Sequence, residues 1–414
     1  MQSRSAWDAI DREGRCCRSA RRRRETPLDG ERADVEGQGS WRARVSWPPM
    51  IGVLGRSQVQ IAVARPSELG PDEIAVWHSM QGKTRSLANP FLCPEFAVAV
   101  GNFRPDARVA VLADGPEIVG FFPFQSRRLG VGVPIGAGLT DCQGLIHAPA
   151  VEWDPRELLR ACKVSVWQFD HLVEGQRPFE RYAVAVAPSP VIDLTDGFAA
   201  YQEKLRVKSP QFCKDLGRKA RKLERDIGEL RFVVDSRDMV GLRALMGWKS
   251  DQYRRNRRID IFDRPWIVDI VDYLFSTHSD RFGGLFSLLY AGETPVAAHF
   301  GLRSGHVLAH WIPAYDMRFS RQSPGLIQHL QMVEQTAGLG VQLIDMGTGD
   351  ERYKQTLRSY DLFVAEGMVA QGSLLAGAHR IRSASASWAR RQIRQHPAMY
   401  RAADQLLRHY GRIG

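Results

Sequence analysis

Two stretches of this chain repeat one strand grammar, and that duplication restricts the fold more than any other feature. In "ARVAVLADGPEIVGFFPFQSRR" (107–128), Asp114-Gly115 reads as a turn between two strands, and Val119-Gly120-Phe121-Phe122 begins four residues after Gly115. In "LFSLLYAGETPVAAHFGLRSGHVLAHWIPAY" (285–315), three strands are predicted with turns at Ala291-Gly292 and Ser304-Gly305. There Val296-Ala297-Ala298-His299 begins four residues after Gly292. The continuations also match. After the first hairpin come "GVGVPIGAGLTDCQGLI", a helical stretch over 155–163 and the strand "VSVWQFDHL"; after the second come strand 307–315, a helix from Ser323 and the strand "VQLIDMG". Both halves read β-β-β-α-β, so the expected fold is α/β (α+β), built from two like units.

A length of 414 residues accommodates two such units with additions. Residues 1–55 are charged and lack a sustained apolar period, so disorder is expected there, with Met50 reading as a natural start. The first unit is assigned to 56–195, a helical basic arm to 196–280, the second unit to 281–370 and a basic helical tail to 371–414. A hydrophobic share of 44% with 25% charged residues is that of a globular domain. No apolar run approaches the roughly 18 residues of a membrane span, and the arginine-bearing N-terminus has no apolar segment of a secretory signal. The cysteines (16, 17, 93, 142, 162, 213) show no metal-ligand spacing. Reduced thiols, a cytoplasmic location and no metal are the expectations. Much of the net charge of +11 lies in "KLRVKSPQFCKDLGRKARKLER" (204–225) and in the arginines after Gly372. Such runs form solvated helix faces or meet polyanions, acidic membranes or nucleic acid.

The helix of the second unit begins at an unusual place. Leu326, Leu330, Val333 and Ala337 recur at helical spacing, and Gly338 and Gly340 stop the run. Ser323 reads as an N-cap whose hydroxyl accepts from a first-turn amide, and Pro324 fits the first helical position. Gly325 costs about 1 kcal/mol relative to alanine inside a helix. It is explained if an anion, usually phosphate, approaches the bare amides at the positive end of the helix.

At this point the residues resemble a known family. The β-β-β-α-β order with an anion-binding helix start resembles the GNAT acyl-CoA N-acyltransferase fold. In detail the chain is similar to the cellulose-biosynthesis (CelD/BcsL-like) acetyltransferases, relatives of the FemAB peptidyltransferases with tandem GNAT units. The resemblance runs from about Val59 to Val369. It is carried by "NPFLCPEFAVAV", "RKARKLERDIGELRF", "WKSDQYRR", "GETPVAAHFGLR", "AYDMRFSRQSPGLI" and "IDMGTGDERYKQ". It implies that Gln322, Ser323, Pro324, Gly325, Leu326 and Ile327 cradle the pyrophosphate of acetyl-CoA or another acyl-CoA. Ile327 departs from the small residue of the Q/R-x-x-G-x-G/A pattern, and the first unit lacks a Q-x-x-G helix start, which marks it as a unit without cofactor.

Acyl transfer from a thioester to an amine needs a proton acceptor, donors for the carbonyl oxygen and a proton for the departing thiolate. The oxygen donors are expected in the strand before the helix, near Trp311 to Ala314. Asp345, Tyr315, His310 and Lys354 are the catalytic candidates, Asp345 and Lys354 through the family motif. Trp248, Lys249, Tyr253, His299 and Tyr353 are candidates for lining the acceptor groove. For His299 the plainer reading is a core histidine, and for Trp248 and Tyr253 packing of the arm. The resulting expectation is transfer of an acetyl group to an amino or hydroxyl group of a saccharide precursor, in cellulose or other polysaccharide biosynthesis. Association with a polysaccharide synthase or a membrane surface would accompany it. Two alternatives stay open: an aminoacyl-tRNA-dependent transferase with 204–225 gripping RNA, and an inactive scaffold docked on a membrane through its basic C-terminal helix.

Overall fold

The computed structural model describes residues 59–149 and 151–371. The predicted disorder of 1–55, the start at Met50 and the helical tail beyond 371 lie outside the described residues.

The first unit runs β1 (Gln60–Ala64), α1 (Pro71–Lys83), α2 (Pro94–Phe103), β2 (Ala107–Asp114), β3 (Glu117–Arg127), β4 (Val131–Pro134), β5 (Ile146–His147), α3 (Pro155–Ala161), β6 (Val166–Val173), α4 (Arg177–Glu180) and β7 (Ala183–Asp193). Two helices follow, α5 (Gly197–Lys208) and α6 (Pro210–Ile227). The second unit then repeats the order as β8 (Leu230–Val233), α7 (Met239–Arg255), α8 (Pro265–Ser276), β9 (Phe282–Ala291), β10 (Thr294–Ser304), β11 (Val307–Tyr315), α9 (Pro324–Gly338), β12 (Leu343–Asp345), α10 (Arg352–Leu357) and β13 (Tyr360–Ala370). The repeat is therefore longer than the hairpins that betray it. Within 196–280, β8, α7 and α8 have counterparts in β1, α1 and α2, so α5 and α6 are the added segment.

All thirteen strands form one sheet in the order β1-β2-β3-β4-β6-β13-β7-β12-β11-β10-β9-β8, with β5 on β3. The order is a palindrome with one exchange. β4 pairs parallel with β6, and β11 parallel with β12. The last strand of each unit then crosses over: β13 pairs with β6, β7 pairs with β12, and the two crossing strands pair with each other from Tyr360↔Val191 to Gly367↔Ala183. β9 and β10 are buried on both faces and read as near-continuous apolar runs, as internal strands should.

The core is shared as well. Trp77, Phe96, Phe121 and Val173 of the first unit pack in one cluster with Leu245, Ile270, Phe286 and Phe300 of the second. Trp311 of β11 packs edge-on against Phe91, with centroids 5.5 Å apart, and its indole N–H donates to the Leu139 carbonyl at 2.9 Å. No helix among the described residues is long and apolar enough to cross a membrane.

Candidate active site

β11 and β12 are paired only over Val307↔Leu343, Leu308↔Ile344 and Ala309↔Asp345. There β12 ends, and β11 continues to Tyr315 with no partner on that side. A bulge falls at the same point. β11 and β10 are in register at Leu302↔Ala309 and again at Phe300↔Ile312, so His310 and Trp311 together stand opposite Gly301. The extra residue bends and twists the strand, and both side chains reach one cleft. Gly301 is required by this crowding, since a Cβ there would lie 2.6 Å from the Ala309 carbonyl oxygen and 2.7 Å from the His299 ring.

The cleft has a volume of about 580 Å³ and is walled by β11, α7, the start of α9, α10 and a loop of the first unit. α7 contributes Lys249, Gln252 and Tyr253, one helical face at spacings of three and four. Of the residues singled out in the sequence, His310, Tyr315, Lys354, Ser323, Gly325, Leu326, Lys249, Tyr253 and Tyr353 line it. Ile327 instead sits in the apolar core beneath α9, Pro324 is buried at the first helical position, and Gln322 ends a 3-10 turn (Met317–Gln322). Trp248 packs against the shared core, and His299 is fully buried behind His310.

Ser323 does not cap α9 with its hydroxyl. Its backbone is left-handed (φ 53°, ψ 51°), no side-chain cap bond forms, and its Oγ accepts from Lys219 Nζ at 2.8 Å. The Ser323 carbonyl takes the Leu326 and Ile327 amides at 3.0 and 3.3 Å, so those two are engaged within the helix. Two features remain for a ligand: the amide end at Gly325, and an ammonium group brought to it by α6. A cation beside the positive end of a helix is unfavourable alone and favourable with an anion between them. A Cβ at 325 would also meet Tyr315 Cδ1 at 3.0 Å, so packing explains part of the glycine. α3, the counterpart of α9, differs. Asp154 accepts from the Arg156 and Glu157 amides at 2.7 and 3.1 Å, so the chain's own carboxylate fills that helix start.

Asp345 is not in the cleft. Its carboxylate accepts from Ser189 Oγ at 2.7 Å, Asn89 Nδ2 at 2.9 Å and the Gly347 amide at 3.0 Å, and it ties the two units together. Burial pushes its pKa up, opposed by these bonds. Asp141, from the first unit's loop after β4, does line the cleft, as does Glu351, which pairs with Lys354. Desolvation pushes its pKa up and His171 pulls it back, with the His171 Nε2 at 3.9 Å. Thr348 lies 3.0 Å from the same nitrogen, and Asp170 lies 3.1 Å from the other. Nothing in sequence could mark this pair, because Asp141 faces a cleft whose other lining residues lie more than a hundred residues further along.

Lys249 Nζ donates to the Pro313 carbonyl at 3.1 Å and lies over the Tyr253 ring. Burial pulls its pKa down to about 8. Lys354 Nζ bonds to the Thr348 carbonyl at 2.9 Å and pairs with Glu351 at 3.4 Å, which holds the loop before α10. His310 and His329 stand in contact at the deep end, with His299 stacked behind. Burial pulls His299 and His329 down to about 3 and His310 well below its ordinary value, so all three are neutral. Among the described residues, no group of three or more His, Cys, Asp or Glu side chains is arranged to hold a metal ion.

Sequence comparison matches residues 210–355 to the acetyltransferase (GNAT) domain family. No curated protein matches the chain. Similar solved structures include a tandem GNAT protein from the clavulanic acid biosynthesis pathway, at 10% identity over 76% of this chain and 99% of that one with a TM-score of 0.44. FemX is 10% identical over 72% and 95%, with a TM-score of 0.47. A GCN5-related N-acetyltransferase from Kribbella flavida is 14% identical over 68% and 97%, with a TM-score of 0.34. The matched residues run from α6, which carries Lys219, past Lys354 on α10, and so contain the cleft wall described above apart from Asp141. Residues 210–355 of this chain thus match a GNAT acetyltransferase domain, and that match supports an acyltransferase.

Proposed function

We propose that the protein transfers an acyl group from acyl-CoA, with acetyl-CoA the expected donor, to an amino or hydroxyl group of a sugar or polysaccharide precursor. The observation that carries the donor is the convergence of Lys219, Ser323 and Gly325 at the start of α9. A pyrophosphate there would meet a helix N-terminus and a cation together. The acceptor class rests on the resemblance to cellulose-biosynthesis acetyltransferases.

The thioester would then run along α9 toward the point where β11 and β12 part. The acceptor nitrogen or oxygen attacks the thioester carbon, the C–S bond breaks, and the oxygen carries negative charge in between. β11 amides beyond Ala309 supply donors for that oxygen, although Pro313 has none. Asp141 would take the proton of the attacking amine. Its raised pKa brings it toward the working range of a general base. Tyr315, against Gly325, is the tyrosine nearest the phosphate end and would protonate the thiolate.

Calorimetric titration of acetyl-CoA into wild type and Gly325→Glu tests the donor. The expected result is micromolar binding to wild type that weakens at least about tenfold in the variant, 1.4 kcal/mol or more. Equal affinity in both would remove the phosphate site from the helix start.

One observation favours an aminoacyl-tRNA donor as a second reading. α6 exposes Lys214, Arg218, Arg221 and Arg225 along a single stripe. Salt-sensitive tRNA binding lost on Arg221→Glu, with no acetyl-CoA binding, would replace the first reading with this one.

A further inference from the structure

His310 is the first residue beyond the last β11–β12 pair, so its ring stands at the apex of the splay. His329 lies four residues after Gly325, one turn deeper on the same face of α9. Both line the cleft while almost wholly buried. Their ring centroids are 4.4 Å apart. On its other face His310 stacks on His299 at 4.3 Å with planes 9° apart, and Tyr353 packs edge-on against His329 at 5.7 Å. Four rings from β10, β11, α9 and α10 thus make one continuous column across the end of the cleft.

We propose that His310 and His329 close the acyl end of the site and limit the acyl chain to acetyl or propionyl size. The inference rests on the reading that the thioester runs from the start of α9 into the splay. The column acts in two ways. Sterically, the rings of His310 and His329 stand at the deep end, where a chain entering along α9 would extend past the carbonyl. Chemically, both nitrogens of His299 and the Nε2 atoms of His310 and His329 have no hydrogen-bond partner. Hydrocarbon packed against that wall would leave these already buried polar atoms without a partner, which a small polar acyl group could supply. A site built to take a fatty chain would place aliphatic side chains there.

The test is a chain-length ladder of non-hydrolysable thioether analogues, titrated by calorimetry: free CoA, acetyl-, butyryl- and octanoyl-CoA. On wild type the octanoyl analogue should bind about tenfold or more weakly than the acetyl analogue, the scale on which a pocket discriminates a few methylenes. His310→Ala and His329→Ala should each shrink that ratio to about threefold or less, with free CoA affinity unchanged. Octanoyl binding to wild type as tightly as acetyl would overturn the proposal without any variant being made. A ratio that persists in both folded variants would overturn it as well. Free CoA failing to bind wild type would instead bring down the donor reading and this inference with it.

Discussion

At position 325 the Tyr315 ring packs where a Cβ would stand, and under the proposed donor reading the helix start also has to stay open for an anion. The sequence shows the second demand and hides the first, because the ring contact depends on how β11 turns into α9. Ser323 is the converse. Its type suggests a cap, but its left-handed backbone, which costs on the order of 1–3 kcal/mol in a non-glycine residue, turns the hydroxyl to Lys219. His299 reads in sequence as either a groove or a core histidine, and the structure makes it a core histidine with both nitrogens unpaired. Its folded pKa of about 3 lies below the unfolded value of 6.5. The unfolded chain therefore binds the extra proton first as pH falls, and stability is lost below pH 6.5. His299→Phe should keep the stack and remove that loss. Between pH 7 and pH 4.5, urea unfolding should show the variant losing about 2–3 kcal/mol less than wild type. Parallel losses would mean that His299 is protonated as easily in the fold as outside it.

Strands, turns and the glycine-started helix could be placed from alternation and turn residues, because those signals are local. The bulge at His310–Trp311 could not, since it exists only as a mismatch between two strands. Near Trp311 to Ala314, where the resemblance implies donors, the register shows a strand released from β12 and bent by its extra residue. Gly301 permits that bend. Gly301→Ala places a methyl against the Ala309 carbonyl oxygen and the His299 ring. We expect a destabilisation of about 1–3 kcal/mol, as for overpacking, with a larger fractional loss of acyl transfer than of CoA binding. Unchanged transfer in a folded variant would show that the bulge does not set the reactive geometry.

Across the molecule, the strand exchange and the shared core join two units whose helix starts differ. Neither joining feature is legible in sequence, because β7 and β13 look like ordinary final strands until their partners are known. The same holds for Asn89, Ser189 and Asp141, first-unit residues that brace or face a site in the second. Under the proposed donor reading the two units divide the labour. α3 has its amides occupied by Asp154, whereas α9 offers Gly325 and a borrowed lysine. Hydrogen exchange with and without acetyl-CoA tests this most directly. Slowed exchange at 310–315 and 324–329, with 154–160 unaffected, is the predicted footprint. Protection at the start of α3, or none at the start of α9, would contradict the assignment of the donor site to the second unit.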